Sequence, residues 1–345
     1  MPAAERDGGP ITGHELVSLF SDLADCRRVI LAVSGGPDST ALLMLAERWR
    51  AAQRKGPDLI VGTVDHGLRP EAKAEAAMVA KLAAKLGLPH HILVWSGEKP
   101  STGLQEAARA ARYRLLLGLA RATGADAIAT AHTEDDQAET MLMRIVRGSG
   151  LAGLAGIKPK STREGIALVR PFLGVQKARL IATLRQAGVS FAEDPSNEDP
   201  RFTRVRLRRL GSELAAEGLD GARLATLARR LARADAALEA MVDELLAGIS
   251  RHPWPQAGPV ELDAAALFRL PGEISIRLLA RAIDRVGDEG PIELGKIEVL
   301  HAAFEEAQAG NRPLKRTLAG AAVSLDGDHI VVTRAPARKS RLRGS

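Results

Sequence analysis

The apolar positions in the first half of the chain alternate between short continuous runs and longer runs with helical spacing. The short runs predict strands at 29–33, 59–64, 91–95 and 127–131, and the longer runs predict helices at 41–46, 71–86, 104–122 and 134–147. In the helix after the first strand, the apolar residues of 41–46 are spaced for one buried stripe. Strands that alternate with helices of this length predict an α/β fold with a doubly wound, mainly parallel sheet.

The pattern changes after Arg201. A Gly-rich connector at 148–156 has already ended the preceding helix, and residues 212–249 show helical spacing without a strand signal. Two further strands are predicted at 321–325 and 329–333, joined as a hairpin by the Asp-Gly-Asp turn between them. We therefore expect a catalytic domain at 1–210, a smaller, mostly helical domain at 211–333 that ends in a hairpin, and a basic, disordered tail at 334–345.

Composition narrows the class of protein. Among 345 residues there is one cysteine, Cys26, which excludes a disulfide framework and a Cys-x-x-Cys metal or redox site. The chain has no apolar run of membrane-spanning length and no signal-peptide pattern, so we expect a cytoplasmic protein without a membrane partner. The net charge of +6 suits a polyanionic partner, and the 3% aromatic content argues against a stacking platform for single-stranded nucleic acid.

The turn between the first strand and the first long helix has the composition of an anion-binding site. Glycines let a phosphate approach the backbone, the N–H groups of the first helical turn point outward, and the helix dipole favours negative charge. Two serines add hydroxyl donors, and an aspartate could hold magnesium. The turn consists of Ser34, Gly35, Gly36, Pro37, Asp38 and Ser39. The competing interpretation is an ordinary strand-to-helix turn, and no Walker-type lysine follows the glycines.

A second group of polar residues follows the strand at 127–131. Counted along one helix that starts at His132, Asp136 and Glu139 fall on the same side as the histidine, opposite the apolar residues. These side chains, with Ser34 and the Asp65-His66 pair, follow strand ends, where ligands bind in such sheets. A solvated polar face and a metal site remain alternatives.

Arginines form two further candidate groups. Arg109 and Arg112 are one turn apart on the helix at 104–122, where they could contact phosphate or simply be solvated. Five arginines within 201–209, among them Arg204 and Arg206, could follow a nucleic-acid backbone. A solvated helix face explains the second group equally well.

The turn resembles the SGGxDS pyrophosphatase loop of the N-type ATP pyrophosphatase (PP-loop) superfamily, whose fold is of the adenine-nucleotide α-hydrolase type. The chain as a whole resembles the tRNA(Ile)-lysidine synthase family within it. The resemblance rests on these blocks: SGGPDS at 34–39, DHGLR at 65–69, EAARAARY at 106–113, DDQAET at 135–140, RGSG at 147–150, RPFL at 170–173, DPSN at 194–197 and TLAGA at 317–321.

The resemblance implies a ligase that forms a C–N bond. It would use ATP to adenylate the C2 oxygen of the wobble cytidine in tRNA(Ile) with a CAU anticodon, and L-lysine would then attack, giving lysidine, AMP and pyrophosphate. A homodimer is one expected form of the protein.

The resemblance also implies residue roles. Residues 34–39 with Asp65 and His66 would bind ATP, and Asp38 would hold magnesium. Arg112 and His132 would lie at the reacting phosphate and carbonyl, and Asp136 and Glu139 would bind lysine. Arg204 and Arg206 would lie near the tRNA. Two other functions stay open here: RNA thiolation, which needs reactive cysteines, and a non-catalytic ATP-sensing module.

Overall fold

The computed structural model describes residues 8–67, 71–97, 99–100, 102–192, 203–249, 254 and 258–336, without the side chains of residues 71, 203–205, 208, 209, 212 and 247. The described residues form two compact units. The first ends at Arg230, and the second begins at Leu231 and also includes Ser149–Ala152. The predicted tail lies outside the described residues from position 337 onward.

Among its described residues, the first unit contains a six-stranded sheet in the order β3-β2-β1-β4-β6-β5. The strands are β1 (Arg28–Ala32), β2 (Asp58–Asp65), β3 (His90–Val94), β4 (Ala127–Ala129), β5 (Lys160–Arg163) and β6 (Ile166–Val169). All neighbouring pairs run parallel except β5 and β6, which form an antiparallel hairpin at one edge. The predicted doubly wound, mainly parallel sheet is confirmed, whereas the edge hairpin was not predicted.

Helices lie before and after these strands. Up to residue 249 they are α1 (Gly13–Leu19), α2 (Pro37–Ala51), α3 (Glu71–Lys85), α4 (Leu104–Thr123), α5 (Glu134–Val146), α6 (Leu151–Leu154), α7 (Lys177–Gln186), α8 (Thr203–Ala216) and α9 (Gly221–Ile249). Strand β1 shows how the two faces of the sheet are covered. Val29 and Leu31 belong to the apolar core that also contains α2 and α7, and Ile30 packs on the opposite face with α4. This alternation follows from the two-residue period of a strand.

Helix α2 is buried more completely than its sequence predicted. Every residue from Ser39 to Ala46 is buried, and so is Trp49, so the expectation of a single buried stripe is wrong. The reason is that α2 packs against β1, α1 and α7 at once. A helix enclosed by neighbours on several sides needs no polar face. The turn that precedes α2 is therefore anchored on a rigid, central element.

The second unit combines helices with an antiparallel sheet. Its described strands are β7 (Val260–Asp263), β8 (Leu314–Leu318), β9 (Ala321–Asp326) and β10 (His329–Arg334), in the order β7-β10-β9-β8. Its further helices are α10 (Ala264–Phe268), α11 (Gly272–Val286) and α12 (Leu294–Ala309). The predicted hairpin is confirmed as β9 and β10. The structure adds one strand on each side of that hairpin.

Candidate active site

The turn between β1 and α2 is held in shape by its own polar groups. The backbone N–H of Ser34 donates to Ser39 Oγ at 3.1 Å, and Ser39 Oγ donates to the carbonyl of Gly36 at 3.1 Å. Gly35 has φ +96°, a left-handed backbone conformation that favours glycine. Gly36 is the N-cap of α2 and Pro37 begins the helix. The N–H groups of Asp38 and Ser39 belong to the first turn, where no intrahelical acceptor is available.

Asp38 is the acidic group of this turn, and it meets a lysine from a distant part of the chain. Its Oδ2 lies 3.3 Å from Lys177 Nζ. Its Oδ1 is buried and has no hydrogen-bond partner among the described residues. Burial raises the pKa of the Asp38 carboxyl, although the Lys177 charge acts in the opposite direction. Lys177 thus engages one oxygen of the Asp38 carboxylate, and no described residue hydrogen-bonds to the other. Sequence reasoning missed Lys177, because no local pattern links it to Asp38.

A cleft of about 150 Å³ opens beside the turn at the carboxyl end of β2. Its lining brings three predicted site residues together: Ser34, His66 and Arg112. The His66 Nδ1 is buried and has no hydrogen-bond partner within the described part of the chain. Burial lowers the pKa of His66, and the Arg112 charge lowers it further. The Asp65 Oδ1 instead accepts a hydrogen bond from the Gly67 backbone at 2.7 Å, which shapes the end of β2.

His132 lies in the connection between β4 and α5. The helix begins at Glu134, as predicted, with Thr133 as its N-cap. His132 therefore precedes the helix, and the count of helical angles that placed it on the helix is wrong. The physical reason is a capping box in which Thr133 and Asp136 satisfy each other's backbone N–H groups. A threonine followed three residues later by an acidic residue is a visible sequence signal, and it could have shown that His132 lies before the helix.

The environment of His132 keeps its imidazole neutral near pH 7. Its Nδ1 lies 2.9 Å from Thr130 Oγ1. Burial lowers the pKa of His132 to about 4, and the charges of Arg112, Arg170 and Arg109 act in the same direction, against the opposing charge of Asp136.

Asp136 and Glu139 differ in what holds their carboxylates. The Asp136 Oδ2 accepts hydrogen bonds from the Thr133 N–H at 2.9 Å and from Thr133 Oγ1 at 3.1 Å, which fixes the side chain at the start of α5. Glu139, one turn further along, is 6% exposed. A carboxylate buried to this extent suits a cationic ligand, because an opposite charge stabilises a charge that is withdrawn from water.

The arginines predicted to take part occupy different environments. Arg112 is half-buried, and burial lowers its pKa, with the Arg109 charge acting in the same direction. Arg109 lies over the ring of Tyr113, 5.4 Å from its centroid. Arg206 is exposed on α8. Arg204 is also on α8, but its side chain lies outside the description, as do residues 68–69 and the DPSN block at 194–197.

We expect the His132 imidazole to titrate near pH 4, and the midpoint to rise in an Arg112→Gln variant, because that change removes a nearby positive charge.

The same shift makes the stability of the protein depend on pH. The pKa of His132 in the folded state lies below the ordinary value of 6.5, so the unfolded chain binds more protons between these two values. The contribution of His132 to stability is therefore complete above pH 6.5 and is lost as the pH falls toward 4. NMR titration of the ring checks the midpoint, and denaturant unfolding of His132→Asn checks the linkage. The control is Arg27→Gln at an exposed site; a midpoint above about 6 would contradict the expectation.

Among the described residues, no group of three or more His, Cys, Asp or Glu side chains could by itself hold a metal ion. None of the helices in the described ranges is long and apolar enough to cross a membrane.

The comparisons first define the class of protein. The PP-loop domain family matches residues 11–214, which include the turn, the cleft and α5. In fold, the chain is similar to the U34-tRNA thiolase NcsA from Methanococcus maripaludis, with a TM-score of 0.54 and 15% identity over 64% of this chain and 77% of that one. The fold and the turn thus define a PP-loop domain, whose use of ATP confirms that part of the cofactor prediction.

Full-length relatives then narrow the class. The tRNA(Ile)-lysidine synthase of Rhodopseudomonas palustris is 55% identical, with 96% of this chain and 99% of that protein covered. The enzyme of the same name from Bradyrhizobium diazoefficiens is 51% identical, with 98% of each chain covered. The chain belongs to the tRNA(Ile)-lysidine synthase family. The family predicted from the sequence blocks is confirmed, and so is the predicted class of enzyme, a ligase that forms a C–N bond.

Proposed function

We propose that the protein uses ATP to join L-lysine to C2 of the wobble cytidine of tRNA(Ile) with a CAU anticodon, giving lysidine, AMP and pyrophosphate. The observation that supports the proposal is that groups suited to phosphate and groups suited to the lysine ammonium follow two neighbouring strands of the sheet. The phosphate-binding turn follows β1, and the neutral His132 with the Asp136 and Glu139 carboxylates follows β4, the strand paired with β1.

ATP would bind with its phosphates at the N-terminus of α2. The donors there are the backbone N–H groups of the turn and the hydroxyls of Ser34 and Ser39, which suit phosphate oxygens. The adjoining cleft, with His66 in its lining and Asp65 as the preceding residue, would take the nucleoside. The Arg112 guanidinium would stabilise negative charge on the reacting phosphate.

A magnesium ion fits the donor set at Asp38. Magnesium is commonly held by one or two carboxylates together with substrate phosphates, and Asp38 offers a buried oxygen that no described residue engages. When bound, the ion supplies neutralisation of phosphate charge. The other steps of the reaction would be carried out by side chains of the protein and by the substrates.

The first chemical step would activate the cytidine. Its O2 attacks the α-phosphorus of ATP, the bond to the bridging oxygen of the β-phosphate breaks, and pyrophosphate leaves. The new O2–P bond then joins the base to AMP, so the oxygen on C2 changes from a poor leaving group to a good one. Holding the nucleophile and the activated carbon together contributes several kcal/mol, of the order seen for well-oriented reactions.

The second step would form the new C–N bond. The ε-ammonium of lysine, with a pKa of ~10.4, is protonated near pH 7 and suits the carboxylates of Asp136 and Glu139. After loss of a proton to His132, the nitrogen attacks C2, and AMP leaves with O2. The negative charge of bound ATP would oppose the arginine charges around His132 and raise its pKa, which makes it a better proton acceptor.

Basic side chains would bind the tRNA. The net charge of +6 favours a polyanion, Arg204 and Arg206 would contact the nucleic acid from α8, and residues 211–333 would form the tRNA-binding domain. The homodimer and the cytoplasmic location also stay predictions; light scattering on the purified protein checks the first.

The direct test is incubation of the protein with ATP, magnesium, labelled lysine and tRNA(Ile) carrying the CAU anticodon. We expect pyrophosphate and AMP to appear together with label in the tRNA. Reactions without lysine, and with a methionine tRNA that has the same anticodon, are the controls. One equivalent of pyrophosphate can appear without lysine, because it leaves in the first step. Continued release at the same rate without lysine, or no label in the tRNA, would refute the proposal; binding of ATP alone would favour the ATP-sensing module.

A further inference from the structure

Lys177 has no part in the function described so far, yet it lies at the phosphate-binding turn. It is the first residue of α7, and its Nζ lies 3.3 Å from Asp38 Oδ2. The two side chains are 34% and 23% exposed, so this ion pair is largely withdrawn from solvent. An ammonium group therefore stands beside the N-terminus of α2, where phosphate is expected.

The backbone at Lys177 is tied to the start of α5. The Lys177 N–H donates to Asp135 Oδ2 at 2.8 Å, and the Glu134 N–H donates to the Val175 carbonyl at 3.0 Å. These two bonds join the segment before α7 to the helix that carries Asp136 and Glu139. Lys177 thus extends from a fixed segment, so that its ammonium loses little freedom when it changes partner.

The ion pair engages only one of the two Asp38 carboxylate oxygens. Lys177 Nζ lies beside Oδ2, whereas Oδ1 is buried and has no hydrogen-bond partner among the described residues. A pair whose only role is to stabilise the fold would satisfy both carboxylate oxygens, because a half-satisfied buried pair gains little. The Asp38 Oδ1 without a partner is explained if the carboxylate binds a further ligand when the substrates are present.

The turn itself also lacks a cation. No lysine or arginine occurs within 34–39, whereas Walker-type loops carry a lysine that reaches the terminal phosphates. Lys177 supplies that charge from a distant part of the chain. Lysine binds phosphate as a point charge and needs no fixed orientation.

We propose that Lys177 binds the β- and γ-phosphates of ATP and the pyrophosphate formed from them, an inference that rests on the proposed function. In the nucleotide-free chain, Asp38 holds the ammonium at the turn. Phosphate oxygens then replace the carboxylate as its partner. Asp135 acts as a positioning residue, because it fixes the backbone from which Lys177 extends.

The test is calorimetric binding of inorganic pyrophosphate, and separately of ATP, both with EDTA so that no divalent metal contributes. We expect Lys177→Met and Lys177→Gln to weaken binding of both by about tenfold or more, as for loss of a charged hydrogen bond. Lys177→Arg should retain binding within about threefold, because the charge is kept. The matched control is Lys160→Met, which removes another lysine of the same unit from its ion pair with Asp22 and should leave binding unchanged.

Thermal unfolding of each variant separates a binding role from a structural one. If the neutral variants bind pyrophosphate within twofold of the parent protein while their unfolding temperature falls, Lys177 serves the fold and the inference is overturned. The measurement uses neither lysine nor tRNA. A parent protein that forms no lysidine would refute the proposed function, and the pyrophosphate result would still decide the role of Lys177.

Discussion

The Asp38→Asn variant should lose lysine-dependent pyrophosphate release by about a hundredfold or more. The carboxylate would hold a cation on the phosphates, and removal of such charge stabilisation costs several kcal/mol in the transition state. Asparagine keeps the shape of the side chain. It also removes a buried carboxyl whose pKa is raised by desolvation, so the folded state should survive the change.

Steady-state release of pyrophosphate at saturating lysine and tRNA measures this effect, with magnesium varied. The matched control is Asp58→Asn, which removes an exposed carboxylate paired with Arg28 and should retain the parent rate. An Asp38→Asn enzyme with a rate within about threefold of the parent would mean that Asp38 does not act on the phosphates.

The Glu139→Gln variant should raise the KM for lysine by about thirtyfold or more, with a smaller effect on ATP binding. Glu139 is 6% exposed. Truncation of one partner in a buried charge pair typically costs 2–5 kcal/mol, and about 2 kcal/mol corresponds to thirtyfold in affinity. Glutamine retains the size of the side chain and loses the charge.

Initial rates against lysine concentration, at saturating ATP and tRNA, provide the measurement. Glu164→Gln is the matched control, because Glu164 is exposed and pairs with Arg121 on the surface. If Glu139→Gln leaves the KM for lysine unchanged and the folded fraction is normal, the lysine pocket lies elsewhere.

The parts of the site that the sequence predicted are those that depend on neighbours in the chain. Gly35 and Gly36, placed after an apolar strand and before an apolar helix, predict the turn because only a few chain conformations connect such elements. The strand ends at Asp65 and before His132 follow from the same alternation. The observed strands end within two residues of the predicted ends, β2 at Asp65 and β4 at Ala129.

The errors have equally specific causes. His132 lies before α5 because of the capping bonds between Thr133 and Asp136, and the count of helical angles from His132 ignores those bonds. The burial of α2 on nearly all sides depends on α1 and α7, whose positions periodicity does not predict. The hairpin of β5 and β6 consists of short, partly exposed strands, which leave a weak apolar pattern.

For this protein, the sequence by itself determined the alternating strands and helices, the phosphate-binding turn and, through its ordered blocks, the family. Each of these depends on residues close together in the chain, whose conformational preferences act locally. Tertiary structure alone decided that Lys177 meets Asp38, that arginines surround His132 and that Glu139 is buried. These tertiary contacts join distant segments of the chain. Their free energy depends on packing and desolvation, which arise only once the chain has folded.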